Sequence, residues 1–123
     1  MAKKPRNVMD SLLIRDFLQV NGDAAFGGTA NTASSGAVAI PIEELYSGYI
    51  TNNTAALNAS LADGKAGQLK IIKLITRDTN NLVVTPTNFG DGSTITFDTT
   101  GEVAVLVFDG STWQEVYTDA TVG

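Results

Sequence analysis

Carboxylates are the chain's main supply of chemically capable side chains. Asp91, Asp98 and Asp109 are spread through the second half, and two of them brought together would do acid–base work, one giving a proton while the other takes one. Asp78, Asp91 or Asp98 with backbone oxygens is an alternative donor set for calcium, but the EF-hand spacing is absent. All of these aspartates stand in or beside turns, where Asp is favoured because its carboxylate accepts hydrogen bonds from local backbone. The turn role is therefore the expected one. The 123 residues contain no histidine and no cysteine. That removes Ser-His-Asp and Cys-His triads and zinc sites built from His and Cys. There is no GxxxxGK[ST] phosphate loop. The chain is expected not to be an enzyme and to need no cofactor and no metal, so its function is sought in surfaces and assembly.

Charge narrows the partners. Thirteen acidic residues against eight basic ones leave a net charge of −5, which argues against nucleic acid, where a basic face supplies most of the affinity. The exception is the start of the chain, where Lys3, Lys4 and Arg6 are either a solvated tail or an arm that docks on an acidic partner. No apolar run approaches the length that spans a bilayer. Asp10, Arg15 and Asp16 interrupt any signal-peptide core, so neither a membrane partner nor export is expected. Without export, the sequons Asn52-Asn53-Thr54 and Asn58-Ala59-Ser60 read as chance.

The elements that would position these residues are strands. Residues 8–20 fit one face of a short helix through Val8, Met9, Leu12, Leu13 and Phe17, and fit a strand through Leu12, Ile14, Leu18 and Val20. Asn21-Gly22 marks a turn, and 21–37 reads as an irregular connection. Residues 37–42 predict a short edge strand, because Pro41 has no N–H to donate, and 43–49 a turn or short helix. From there the alternation of apolar residues predicts strands over 54–61, 68–76, 82–86, 94–98, 102–109 and 113–117, separated by turns at 77–81, 88–92, 100–101 and 109–111. The continuous apolar run 102–109 is expected to be the central strand. Regular short strands with frequent turns indicate an all-β, small antiparallel sandwich or barrel. The expected organisation is an N-terminal arm over 1–50 and a β-domain over 51–123. Trp113 is expected to pack in the core or between strands. Tyr46 and Tyr49 would either meet a neighbouring subunit or cover the end of their own barrel. A core drawn from about 70 residues is small for independent stability. With no disulfide available, oligomerisation is the expected remedy.

The segment LADGKAGQLKIIKLITRDTNNLVVTPTNFGDGSTITFDTTGEVAVLVFDGSTWQEV resembles a small β-module of virion proteins of tailed bacteriophages. Its marks are a DG-x-x-GQ entry at 63–68, a T-P-T-N…G-x-T-I-T-F middle at 85–97 and a V-x-L-x-x-D-G-S-x-W ending at 103–113. They cover about half the chain. The preceding LQVNGDAAFGGTANTAS is similar to linking sequences of phage tail fibres and head-attached proteins. The chain, taken as complete at 123 residues, has no long repeat array, which favours the capsid surface over a fibre. The resemblance implies a capsid decoration, or cement, protein on the capsid exterior, made in the host cytoplasm. It would form a homotrimer that bridges major capsid proteins. The trimer contact is expected through Leu106, Phe108 and Trp113, and the capsid contact through Lys3, Lys4, Arg6, Leu12, Leu13, Ile14 and Phe17. The alternative is a tail or fibre-base component carrying a small receptor-contacting β knob. A carbohydrate-active enzyme or lysin fragment has no convincing acid–base pair in its favour.

Overall fold

A computed structural model describes residues 15–16, 19, 21–22, 26–31, 36–52 and 54–123. These residues form ten strands and no helix: β1 Gly28–Asn31, β2 Gly36–Ala39, β3 Tyr46–Ile50, β4 Leu57–Leu61, β5 Leu69–Thr76, β6 Leu82–Pro86, β7 Ile95–Phe97, β8 Val103–Phe108, β9 Trp113–Thr118 and β10 Thr121–Val122. Sheet I has the order β1-β3-β5-β8-β9 and sheet II the order β10-β7-β6-β4-β2. Neither closes on itself, so of the two expected architectures the open sandwich is the one formed.

The alternating pattern makes the two layers. In β5 the side chains of Lys70, Ile72 and Leu74 are buried, and in β8 those of Ala104, Leu106 and Phe108. Leu57, Ala59 and Leu61 of β4, Leu82 and Val84 of β6, and Ile95 and Phe97 of β7 face them from sheet II. This is the period-two burial that a strand imposes. Trp113 and Phe108 meet edge to face, with ring centroids 5.2 Å apart and planes at 70°, the orientation aromatic quadrupoles favour.

The topology differs from an all-antiparallel sandwich. β1, β3 and β5 lie parallel in sheet I, with Gly28, Tyr46 and Ile71 in register. β2, β4 and β6 lie parallel in sheet II, with Gly36, Leu57 and Leu82 in register. From β1 to β6 the chain alternates between sheets, so each return lays a strand beside its predecessor in the same direction. The result is three stacked coils. Antiparallel pairing begins only at the end of the coil stack, where β8 pairs β5 and β9, and β7 pairs β6 and β10. Turn residues mark where a strand stops; they do not say whether the next strand joins the same sheet or the opposite one.

Two further expectations need correction. The boundary at residue 50 falls inside the sandwich, because β3 is wedged between β1 and β5 and Tyr49 is 1% exposed in the core. The strand over 102–109 is not central: β8 is fourth of five in sheet I and β5 holds the centre. Its second apolar stripe faces outward.

Candidate interaction surface

The capsid-arm residues Lys3, Lys4, Arg6, Leu12, Leu13, Ile14 and Phe17 lie outside the described residues. The three residues expected to join copies are placed elsewhere than expected. Leu106 and Trp113 are 0% exposed and Phe108 4%, all within the chain's own core. They present no surface to a neighbour, and the role expected of them as an interface is corrected to a core role.

The residues of the three sequence marks converge. Asn88 Nδ2 donates to Asp63 Oδ2 at 2.7 Å, and Trp113 Nε1 donates to the Ala62 carbonyl at 2.9 Å. The Trp113 backbone N–H donates to Asn88 O, and its carbonyl accepts from Gly90 N–H, both at 2.9 Å. Gln68 reaches two ways: its Oε1 accepts from Lys65 N–H at 2.9 Å and its Nε2 donates to Ile42 O at 2.7 Å. Asp109 accepts from the backbone N–H groups of Ser111 and Thr112, both at 2.8 Å. These bonds, Thr112's first, hold its carboxyl below the ordinary value of 3.8. Gly110 follows at φ 105°, a left-handed conformation that glycine adopts without strain. Asp91 accepts from Glu115 N–H at 2.7 Å, and Asp98 from the Thr99 hydroxyl at 2.9 Å. The carboxylates first considered for proton transfer thus tie down separate turns. Among the described residues no group of three or more acidic, His or Cys side chains is placed to hold a metal ion.

One buried cluster has the residue types of a nucleophile and its base. Lys70 is 0% exposed, and its Nζ donates to Pro41 O at 2.6 Å, Glu44 O at 2.7 Å and Ser47 Oγ at 2.8 Å. Burial, the largest influence, draws the amine below its ordinary value of 10.5, while Glu44 and then Glu43 pull it back up. A Ser–Lys pair can act as a nucleophile with its base. Here all three lysine donors are spent and Ser47 is itself 0% exposed, so the pair staples the 41–45 turn to β5 and meets no substrate. Beside it, the Tyr49 hydroxyl is buried without a hydrogen-bond partner. Burial raises its pKa above 10.0; Ser47 is near enough to oppose that rise, and Glu44 adds to it.

At the same end of the sandwich, two open clefts share Glu43, Gly67 and Gln68. One, of about 380 Å³, is lined by Phe26, Leu45 and Leu69 as well; the other, of about 650 Å³, adds Ile42, Asp63 and Lys65. Glu44 at the first is already engaged, accepting from the Thr29 hydroxyl at 2.8 and 2.7 Å.

Among the described residues, the broadest apolar feature without a partner is the outer face of sheet I. Across four strands Tyr46, Ile71, Val105 and Tyr117 are register partners in one row, and Leu69 and Val107 pair in the next. Leu69 is 48% and Tyr117 54% exposed; the others are partly exposed. A bulge at Val105/Leu106 aligns Tyr117 with Val105 and leaves Val116 unpaired and 59% exposed. Gly48 fits below the row because a side chain there would strike Ile75 Cδ1 at 2.5 Å and the Tyr46 hydroxyl at 2.6 Å. The outer face of sheet II carries Asn58, Ser60, Thr85 and Thr96 around a single branched aliphatic, Val83. The signal for the sheet I face was present as the apolar residues on both faces of β5, interrupted by Lys70 and Lys73, and the unbroken apolar run of β8. Such a run fits a strand buried on both sides as well as it fits one with an apolar face left open.

Against known proteins the chain gives no match: neither a protein-family model nor a curated protein corresponds to it.

Proposed function

We propose that this chain is a structural protein of a tailed-bacteriophage virion, a capsid decoration protein that trimerises and bridges major capsid proteins on the outside of the head. The observation that carries the reading is the convergence of the three phage-like sequence marks. Asp63, Gln68, Asn88, Asp109 and Trp113 come from three separate segments, and they build one end of a single sandwich through the Asn88–Asp63 side-chain bond and side-chain-to-backbone bonds. The marks therefore belong to one folded unit, as the resemblance requires. A rigid block with an apolar flank suits a mechanical task. By binding assembled shell and not its dissociated subunits, it would stabilise the shell by mass action. The basic arm with Lys3, Lys4 and Arg6 would meet the capsid.

Stoichiometry in purified particles tests the proposal. A decoration protein is expected at an abundance comparable to that of the major capsid protein. A few copies per particle would overturn the reading in favour of a tail or fibre-base component. Deleting residues 1–20 tests the arm: capsid affinity should fall while oligomer mass is kept, and unchanged affinity would remove the arm as the anchor.

A further inference from the structure

We propose that the outer face of sheet I is the contact between copies of this chain, with the row Tyr46–Ile71–Val105–Tyr117 at its centre. The inference deepens the reading of a self-assembling structural protein and replaces the core residues first expected to join the copies.

Three observations carry it. The first is composition. β3, β5 and β8 contain no acidic residue at all in a chain that has thirteen. Self-association of a molecule with net charge −5 needs a face where carboxylates do not oppose one another, because like charges brought together cost several kcal/mol. Tyrosine at the centre and depletion of Asp and Glu are also the signature of interface cores. Two charges border the row: Lys73, whose stem is long enough to carry its amine to the rim, and Glu115 of the edge strand β9, which is exposed at the margin.

The second is area. Four strands about 4.8 Å apart, of five, eight, six and six residues, give a face of roughly 400 Å². Two copies burying it against each other remove about 800 Å² in total, the size of a weak, concentration-dependent contact. The third is asymmetry. Sheet II offers mainly small hydroxyl, amide and alanine side chains on its outer face, with Val83 the one branched aliphatic among them. Sheet I offers branched aliphatic and aromatic ones in consecutive register, and a half-buried surface strand would ordinarily carry polar residues there.

The test is the mass of the intact chain in solution, by sedimentation or native mass spectrometry over a range of concentration. The wild type should self-associate. Val105→Lys and Ile71→Lys should each weaken association at least ~30-fold, the effect of losing one hot-spot side chain. Thr85→Lys, on the outer face of sheet II, should leave association unchanged. Because a lysine in β5 or β8 can also unfold the chain, Tyr117→Lys on the exposed edge strand is measured beside them, and cooperative thermal melting is required of every variant scored. A monomeric wild type overturns the inference, as do folded variants that associate normally. If the wild type is monomeric but face variants lose capsid binding, the face docks on the shell and the copy–copy contact is refuted. None of the mass measurements uses a capsid, so their failure leaves the stoichiometry result standing, and the reverse also holds.

Discussion

Replacing Lys70 with methionine tests whether the buried ammonium organises the turn at 41–45. Methionine fits the same channel and removes the three donors, leaving Pro41 O, Glu44 O and Ser47 Oγ facing an apolar side chain. An orphaned buried acceptor costs about 1–3 kcal/mol. Three at the lower limit give about 3 kcal/mol, offset in part because methionine no longer pays to strip water from a charge. The expected net loss is about 2 kcal/mol, or a fall in Tm of roughly 6–12 °C for a chain of this length. Ser47→Ala removes one acceptor and should cost about 1 kcal/mol. The two changes should be less than additive, since they break one shared bond. The assay is thermal and urea unfolding of the single and double variants. A pH series adds a check of sign. Burial lowers the folded-state pKa of Lys70 below 10.5, so between the two values the unfolded chain holds more protons and stability rises with pH. That rise should vanish in Lys70→Met, and Tyr49→Phe is the background in which to see it, because Tyr49 works in the opposite sense. Unchanged or increased stability in Lys70→Met would refute the staple and show the buried charge to be a net burden.

Tyr49→Phe removes a buried hydroxyl that has no partner and should stabilise the chain by about 1 kcal/mol, read as a raised Tm. It should also abolish a loss of stability as pH climbs above 10.0, since the raised phenol pKa makes the ionised form costly to fold. Asp109→Asn should flatten the acid limb of stability. The depressed carboxyl contributes above its ordinary 3.8 and loses that contribution as pH falls through the lower folded value. Equal acid unfolding midpoints for the variant and the wild type would contradict it.

The second half of the fold was legible because local signals there agree with tertiary ones. β6 and β7 alternate apolar and threonine positions but for Val83, β5 and β8 carry apolar residues on both faces, and Asp109-Gly110 closes the β8–β9 turn with its own side-chain bonds. β3 was not legible. Tyr46-Ser47-Gly48-Tyr49-Ile50 puts a serine at a core-facing position and a glycine on the outer face. It becomes a strand because β1 and β5 pair on both sides of it and Lys70 satisfies Ser47. β1, with the sequence GTAN, has no large apolar side chain to announce it. For the proposed contact, the sequence pointed to residues of 102–109 that face the core. Leu106 and Phe108 were expected at the surface, whereas Val103, Val105 and Val107 are the partly exposed set. A run apolar on both faces contains no information about which face the second sheet will cover.

The stacked coils also determine how the molecule yields under load. Among the described residues β1, four residues long, pairs with β3 alone and adds the Thr29–Glu44 bond, and β2 pairs with β4 alone. A tether pulling on the chain ahead of Gly28 therefore reaches the core through one short strand at a time. Detaching β1 exposes the edge of β3, and detaching β2 exposes that of β4, while the bonds joining Asp63, Asn88 and Trp113 stay unloaded until the coils before them have peeled away. Force is released in steps, and the far end of the sandwich keeps its shape while the near end gives.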